Sequence, residues 1–263
     1  MLTLVKLGGS LVTDKRVEKT FRREVMVRLA DEIAAAFDEA PGLQLIIGHG
    51  SGSFGHFAAR KANTIQGVRT KEDWRAFADV AMAASELNYF VSECLQSAGI
   101  PVWRFQPSAS VVSDNGHVIG MSVEGVKTAL SVGIVPVVYG DVALDRTLGG
   151  TIISTEKLFF YLSSVLPVKR ILLAGEVDGV YGLDGTVIGS ITSANLGEVS
   201  KSLTGSSGVD VTGGMESKVE DMLALVDTIP LLTIRILNGL TPNLLTDTLL
   251  GKTEQGTLIS AST

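Results

Sequence analysis

The sequence predicts an α/β protein, an open αβα sandwich with a mainly parallel central sheet. Three observations carry this prediction. Short apolar runs alternate with segments of helical periodicity, many of the runs are apolar on both faces, and three of them lead into glycine-bearing loops. Strands buried on both sides belong to parallel sheets covered by helices. Ligands in such sheets collect beyond the carboxyl ends of the strands, where all three loops fall.

In chain order, residues 2–7 read as a strand that Gly8-Gly9-Ser10 turns, and Asp14, Lys15 and Arg16 follow in a polar loop. Val25, Leu29, Ile33, Ala36 and Phe37 recur at helical spacing over 21–39, Pro41-Gly42 stops that helix, and 43–47 is the second strand. The stretch Gly48-His49-Gly50-Ser51-Gly52-Ser53-Phe54-Gly55-His56 comes next, followed by a short helix over 57–62 and a polar segment over 63–70. An alanine-rich helix over 73–98 carries a stripe of Phe77, Ala81, Ala84, Leu87 and Val91 and ends at Gly99. Val111-Val112 and Val118-Ile119 flank a hairpin turn at Asp114-Asn115-Gly116. A helix over 123–132 leads to an all-apolar strand over 134–138 that ends at Gly140-Asp141. Residues 148–151 read as a linking turn, 156–166 as a helix and 170–174 as a strand running into 176–182. A turn and edge segment (185–191), a glycine- and serine-rich stretch (203–214), a helix (217–226) and strands at 234–237 and 257–259 complete the chain.

Composition narrows the function classes. A net charge of −6 argues against a nucleic-acid surface. Apolar residues at 45% and charged residues at 19% are a globular rather than a disordered composition. No apolar run approaches the roughly 20 residues of a membrane span, and the amino terminus enters a strand without a secretion signal, so a soluble, cytoplasmic protein is expected. Cys94 is the single cysteine, which excludes an internal disulfide and reads as packing. His49 and His117 read as structural or exposed, and Trp74, Trp103 and Phe77 as core.

The glycine loops carry the chemistry. Glycine lets backbone N–H groups converge on an anion such as phosphate. Lys6 precedes the first loop, His56 closes the second, and Lys218 follows Gly213-Gly214-Met215 in the third. Together they read as a phosphoryl-transfer site. The run Gly50 to Gly55 also satisfies G-x-G-x-x-G, but the acidic residues at the matching distance, Glu72 and Asp73, open a helix instead of ending a strand, which disfavours a dehydrogenase. Gly251-Lys252-Thr253 is a P-loop near-miss, with Thr246 in the glycine position, and reads as a surface turn. No protein-kinase catalytic-loop motif is present.

The set Lys6-Leu7-Gly8-Gly9-Ser10, Gly48 through His56, Gly140-Asp141, Val177-Asp178-Gly179-Val180-Tyr181 and Gly213-Gly214-Met215 with Lys218 resembles the amino acid kinase superfamily over nearly the whole chain. Within it, the Gly-Ser-Phe-Gly-His run resembles the isopentenyl phosphate kinase family, with fosfomycin kinases as the nearest competitor. The resemblance implies an ATP-dependent kinase whose acceptor is a small-molecule phosphate, an acceptor lobe over 1–147, a nucleotide lobe over 148–263, one sheet shared by both, and a homodimer. Lys6 and Lys218 match lysines that hold the ATP phosphates, Lys15 one that reaches the transferred phosphoryl group, and Gly8, Gly9 and Ser10 backbone donors. Asp178, Gly179, Val180 and Tyr181 would border the nucleotide together with Gly213 and Gly214. His56 would donate to the acceptor phosphate, with Gly50, Gly52, Gly55, Gly140 and Asp141 around it. Mg2+ is implied by the ATP phosphates, without an evident protein carboxylate site.

One departure stands out. The family segment Ser-Gly-Asp-Asp is here Ser154-Thr155-Glu156-Lys157. Its first aspartate organises the two lysines in the family; Glu156 keeps that charge on a longer arm, whereas Lys157 reverses the second. A nucleotide-binding regulator without turnover is the non-kinase alternative.

Overall fold

Six apolar-rich residues, Leu2–Leu7, form β1 at the centre of the sheet, in a computed structural model that describes residues 1–55, 57, 67–204 and 215–262. The other strands are β2 (Gln44–His49), β3 (Val102–Arg104), β4 (Val112–Asp114), β5 (His117–Gly120), β6 (Val135–Tyr139), β7 (Asp141–Asp145), β8 (Gly149–Ile153), β9 (Val168–Gly175), β10 (Ser190–Ile191), β11 (Thr233–Asn238) and β12 (Thr257–Ser260). The helices are α1 (Gly9–Val12), α2 (Arg23–Glu39), α3 (Lys71–Ser97), α4 (Glu124–Ser131), α5 (Thr155–Val165), α6 (Leu196–Thr204), α7 (Met215–Thr228) and α8 (Leu244–Leu249).

Eight strands share one sheet in the order β10-β12-β11-β9-β1-β2-β6-β3. The pairings are parallel apart from β11 with β12, as the doubly apolar runs predict. Side chains alternate along β1, and the two faces meet different cores. Val5 and Leu7 pack with α2, α3 and α8, whereas Leu2 and Leu4 pack with α5 and α7. Leu4 is wholly buried, which contributes about 1.5–3 kcal/mol.

A second sheet, ordered β5-β4-β7-β8, was not expected in full. The hairpin at Asp114-Asn115-Gly116 forms as read, but 148–151, taken as a linking turn, belongs to the β7–β8 hairpin. The long helix begins two residues earlier than its apolar stripe indicates. Thr70 and Asp73 form a reciprocal capping box, with Asp73 N donating to Thr70 Oγ1 at 3.1 Å and Thr70 N to Asp73 Oδ2 at 2.8 Å. Trp74 and Trp103 are exposed instead of core, Trp103 on the edge strand β3 and Trp74 near the start of α3. Cys94 is buried, as expected. Gly251-Lys252-Thr253 follows α8 at the surface, as read, and Lys252 pairs there with Glu39 at 2.6 Å.

Candidate active site

β1 delivers the first functional side chain. Alternation puts Lys6 on the face of Leu2 and Leu4, toward α5, and its Nζ donates to Oε1 of Glu156 on the first turn of that helix. α5 starts there because the Ser154 hydroxyl accepts from the Lys157 amide at 3.3 Å. Burial pushes the Glu156 carboxyl up, but the charge and hydrogen bond of Lys6, with a smaller contribution from Lys218, outweigh it and hold the group below its ordinary value. Lys218 stands on the first turn of α7 and is close enough for its charge to act on that carboxylate. Glu156 thus contacts Lys6 and feels the charge of Lys218, the two lysines that the resemblance assigns to the phosphates.

The rest of the altered segment is also engaged. The buried Thr155 hydroxyl donates to the His49 carbonyl at 2.6 Å, fixing the end of β2. Lys157 Nζ donates to the Gly116 carbonyl at 2.7 Å, tying the β4–β5 turn to α5.

The glycine loops after β1 and β2 meet backbone to backbone. A Cβ added at Gly9 would stand 2.7 Å from the Gly52 nitrogen, and Gly52 itself has a φ of +49°, so both positions require glycine. Each loop is also anchored to the neighbouring strand end: Gly8 N donates to Ala174 O at 2.8 Å and Gly50 N to Leu7 O at 3.1 Å. Gly55 N closes a helical turn on Ser51 O at 3.0 Å. The close glycine approach between Gly9 and Gly52 is therefore loop against loop.

Gly140 and Asp141 lie at the junction of β6 and β7. The Asp141 carboxylate is buried and accepts from Ser108 N at 3.0 Å and from Val142 N at 2.8 Å. Burial raises its pKa, and these bonds oppose the rise. On the other side, Asp178 is held below the ordinary carboxylate range by Asn238 Nδ2 and the Tyr181 hydroxyl, both at 2.9 Å. Gly179 and Val180 press against Thr257, whose hydroxyl accepts from Val180 N at 2.8 Å. Lys15 is exposed on the loop after α1, and Ser10 lies in α1. His56, Gly213 and Gly214 lie outside the described residues. Among the described residues, no group of three or more histidine, cysteine or acidic side chains is placed to hold a metal.

His49 is structural, as the sequence suggested. Its ring is buried, stacks on Tyr139 with centroids 5.6 Å apart, and meets Asn88 Nδ2 through Nε2 at 3.0 Å. The Asn88 amide donates there, which leaves the proton on Nδ1 for the Gly50 carbonyl at 3.1 Å. Burial lowers its pKa to about 4. The unfolded chain therefore binds the extra proton first, and the stabilisation is complete above the ordinary histidine value and declines as pH falls toward 4. We expect wild type to lose about 2 kcal/mol of this contribution between pH 7 and 5. Urea denaturation at both pH values should show a smaller loss in His49→Gln; an equal loss would assign the titration to other groups.

The Leu87 side chain is wholly buried in the core under α2 and α3, so it does not face a ligand pocket. Phe77 is different: it is only partly buried and lies over Gly150 of β8, between α3 and the second sheet. Among the described residues, no helix is long and apolar enough to cross a membrane.

Comparison with known proteins agrees with this geometry. The model of the amino acid kinase family matches residues 1–236. An isopentenyl phosphate kinase from Methanocaldococcus jannaschii is 35% identical over 226 residues, covering 84% of this chain and 86% of that protein. One from Methanothermobacter thermautotrophicus is 34% identical, covering 98% and 99%. A crystal structure of an isopentenyl phosphate kinase superposes with a TM-score of 0.83 at 30% identity, covering 99% of this chain and all of the other. With its paired glycine loops, its Lys6–Glu156 contact and a family match over most of its length, the chain belongs to the amino acid kinase family.

Proposed function

We propose that this chain is an ATP-dependent isopentenyl phosphate kinase, which transfers the γ-phosphoryl group of ATP to the phosphate of isopentenyl phosphate and releases isopentenyl diphosphate and ADP. The observation that carries the reading is Lys6, held by Glu156 beside two touching glycine loops, in a chain about a third identical to enzymes of that name over most of its length. Transfer between two phosphates needs positioning and charge neutralisation, because the acceptor oxygen is already a nucleophile. In this reading Lys6 and Lys218 hold the ATP phosphates, Lys15 follows the moving phosphoryl group, and Gly8, Gly9 and Ser10 add backbone donors. His56 donates to the acceptor phosphate, and Asp141 orients the 107–109 turn on that side. Asp178 to Tyr181, with Gly213 and Gly214, border the nucleotide. Residues 1–147 form the acceptor lobe and 148–263 the nucleotide lobe. Mg2+ enters bound to the triphosphate, as part of the substrate.

Purified protein with ATP, Mg2+ and isopentenyl phosphate should release ADP and give the phosphorus signals of a diphosphate ester. Turnover of fosfomycin with none of isopentenyl phosphate would move the assignment to the competing kinase, and ATP binding without ADP release would favour the regulator.

The tail of the acceptor supplies a second test. Phe77→Ala opens space between α3 and β8, and each added buried methylene contributes about 0.8 kcal/mol. The kcat/KM ratio of geranyl phosphate to isopentenyl phosphate should therefore rise about tenfold or more. An unchanged ratio in the folded variant would put Phe77 outside the tail pocket.

A cytoplasmic homodimer completes the proposal. The edge strand β3 and the neighbouring face of α3 leave Trp103, Tyr89 and Met82 exposed, an apolar surface beside an open strand edge. Sedimentation at twice the chain mass, reduced to one chain mass by Trp103→Glu, supports a dimer through this face, and sedimentation of wild type at one chain mass overturns it.

A further inference from the structure

We propose that Thr13, a residue outside every recognised motif of the chain, is a positioning residue that sets the separation between the donor and acceptor loops. The inference rests on the phosphoryl-transfer reading of those loops. Thr13 is wholly buried, at the point where the loop after β1 crosses the loop after β2. Its hydroxyl acts both ways: Oγ1 donates to Gly9 O at 2.6 Å and accepts from Ser53 N at 2.9 Å. One oxygen therefore joins the loop that carries Gly8, Gly9 and Ser10 to the loop that leads to His56.

The same junction holds the segment bearing Lys15. Thr13 and Phe21 form an antiparallel bridge at the base of that segment, and Ser53 Oγ accepts from Thr20 N at 3.1 Å. A Cβ on Gly52 would lie 2.2 Å from Thr13 Oγ1, so the contact leaves no slack. Each glycine loop keeps its own anchor to a neighbouring strand end whether or not the hydroxyl is present. Removing it should therefore leave each loop able to bind its own substrate while changing the distance between the two.

In-line transfer is sensitive to that distance, since a shift of about 1 Å costs on the order of 100-fold. Thr13→Val and Thr13→Ala should lower kcat about 10- to 100-fold, with dissociation constants for ATP and for isopentenyl phosphate held within about threefold. Thr13→Ser, which keeps the oxygen, should stay near wild type. The measurements are ADP release at saturating substrates, calorimetric binding of each substrate separately, and thermal melting for the folded fraction.

Wild-type kcat in folded Thr13→Val and Thr13→Ala overturns the proposal. So does a Thr13→Ser variant as slow as Thr13→Ala, or a loss confined to the two dissociation constants. If Thr13→Val does not fold, the serine and alanine variants, which differ by one oxygen, decide the matter. An alanine variant that also fails to fold overturns it, because the hydroxyl is then needed for folding rather than for spacing. Failure of the functional reading shows separately, as wild type that makes no ADP with isopentenyl phosphate. The three variants are then compared on fosfomycin, and absence of turnover there overturns both.

Discussion

Lys6→Met will lower kcat by about 100- to 1,000-fold while the protein still folds. The change removes the positive charge that the proposed function directs at the phosphates from the end of β1, where one such electrostatic contact contributes roughly 3–4 kcal/mol to the transition state. It also leaves Glu156 without the partner that holds its carboxyl below the ordinary value. Lys218→Ala should fall in the same range, since its charge acts on the same carboxylate from α7. Steady-state kinetics with thermal melting checks both. A folded variant with near-wild-type kcat would move that lysine off the site.

Asp145→Ala will lower stability by about 3–4 kcal/mol, the largest effect expected away from the reacting groups. This buried carboxylate accepts from the Ser113 hydroxyl at 2.9 Å and from four backbone amides, those of Asn115, Gly116, Thr147 and Leu148, at 2.8–3.0 Å. It binds the β4–β5 turn to the β7–β8 turn with one side chain. Burial raises its pKa, but these bonds prevail and bring it to about 2. The stabilisation is therefore present above the ordinary aspartate value and is lost as pH falls from about 4 toward 2. Wild type should show that acid limb in urea denaturation, and Asp145→Ala should start lower and lack it. An unchanged urea midpoint would show that other contacts hold the two turns.

Asp145 also shows where the sequence was silent. The large sheet was legible because its inner strands are short apolar runs followed by glycine and separated by helical segments, a pattern that fits a doubly covered parallel sheet. In the small sheet only the β4–β5 hairpin was legible, because β7 begins and ends in aspartate and β8 begins with two glycines, so neither of these reads as a strand. Helix α8 has six residues and α6 runs into a serine- and glycine-rich stretch, too little for periodicity to register. Trp74 and Trp103 were misplaced by the rule that large aromatics go inside, whereas α3 and β3 present them at the surface.

The site was legible in its residue types and less so in its contacts. Lys6 beside a double glycine reads as phosphate chemistry, but its partner in the altered Ser-Thr-Glu-Lys segment, Glu156, lies 150 positions away and shows only in the folded chain. Thr13 gives no signal at all, since a lone threonine after a short apolar run resembles many others. Its significance arises only when two loops distant in sequence are brought together.

The placement of β1 bears on how the protein is made. Leu2 pairs with Gln44 on one side and with Val168 on the other, so β1 gains its second neighbour only more than a hundred residues after its first. At ribosomal speeds of about 5–20 residues per second, the interval between the two partners is on the order of ten seconds. Throughout it, the nascent chain carries a hydrophobic strand with one unpaired edge, the kind of surface on which growing chains associate with one another. Faster elongation shortens this exposure, and a chaperone at the ribosomal exit shields it. The order of the strands in the chain therefore fixes how long β1 waits for β9.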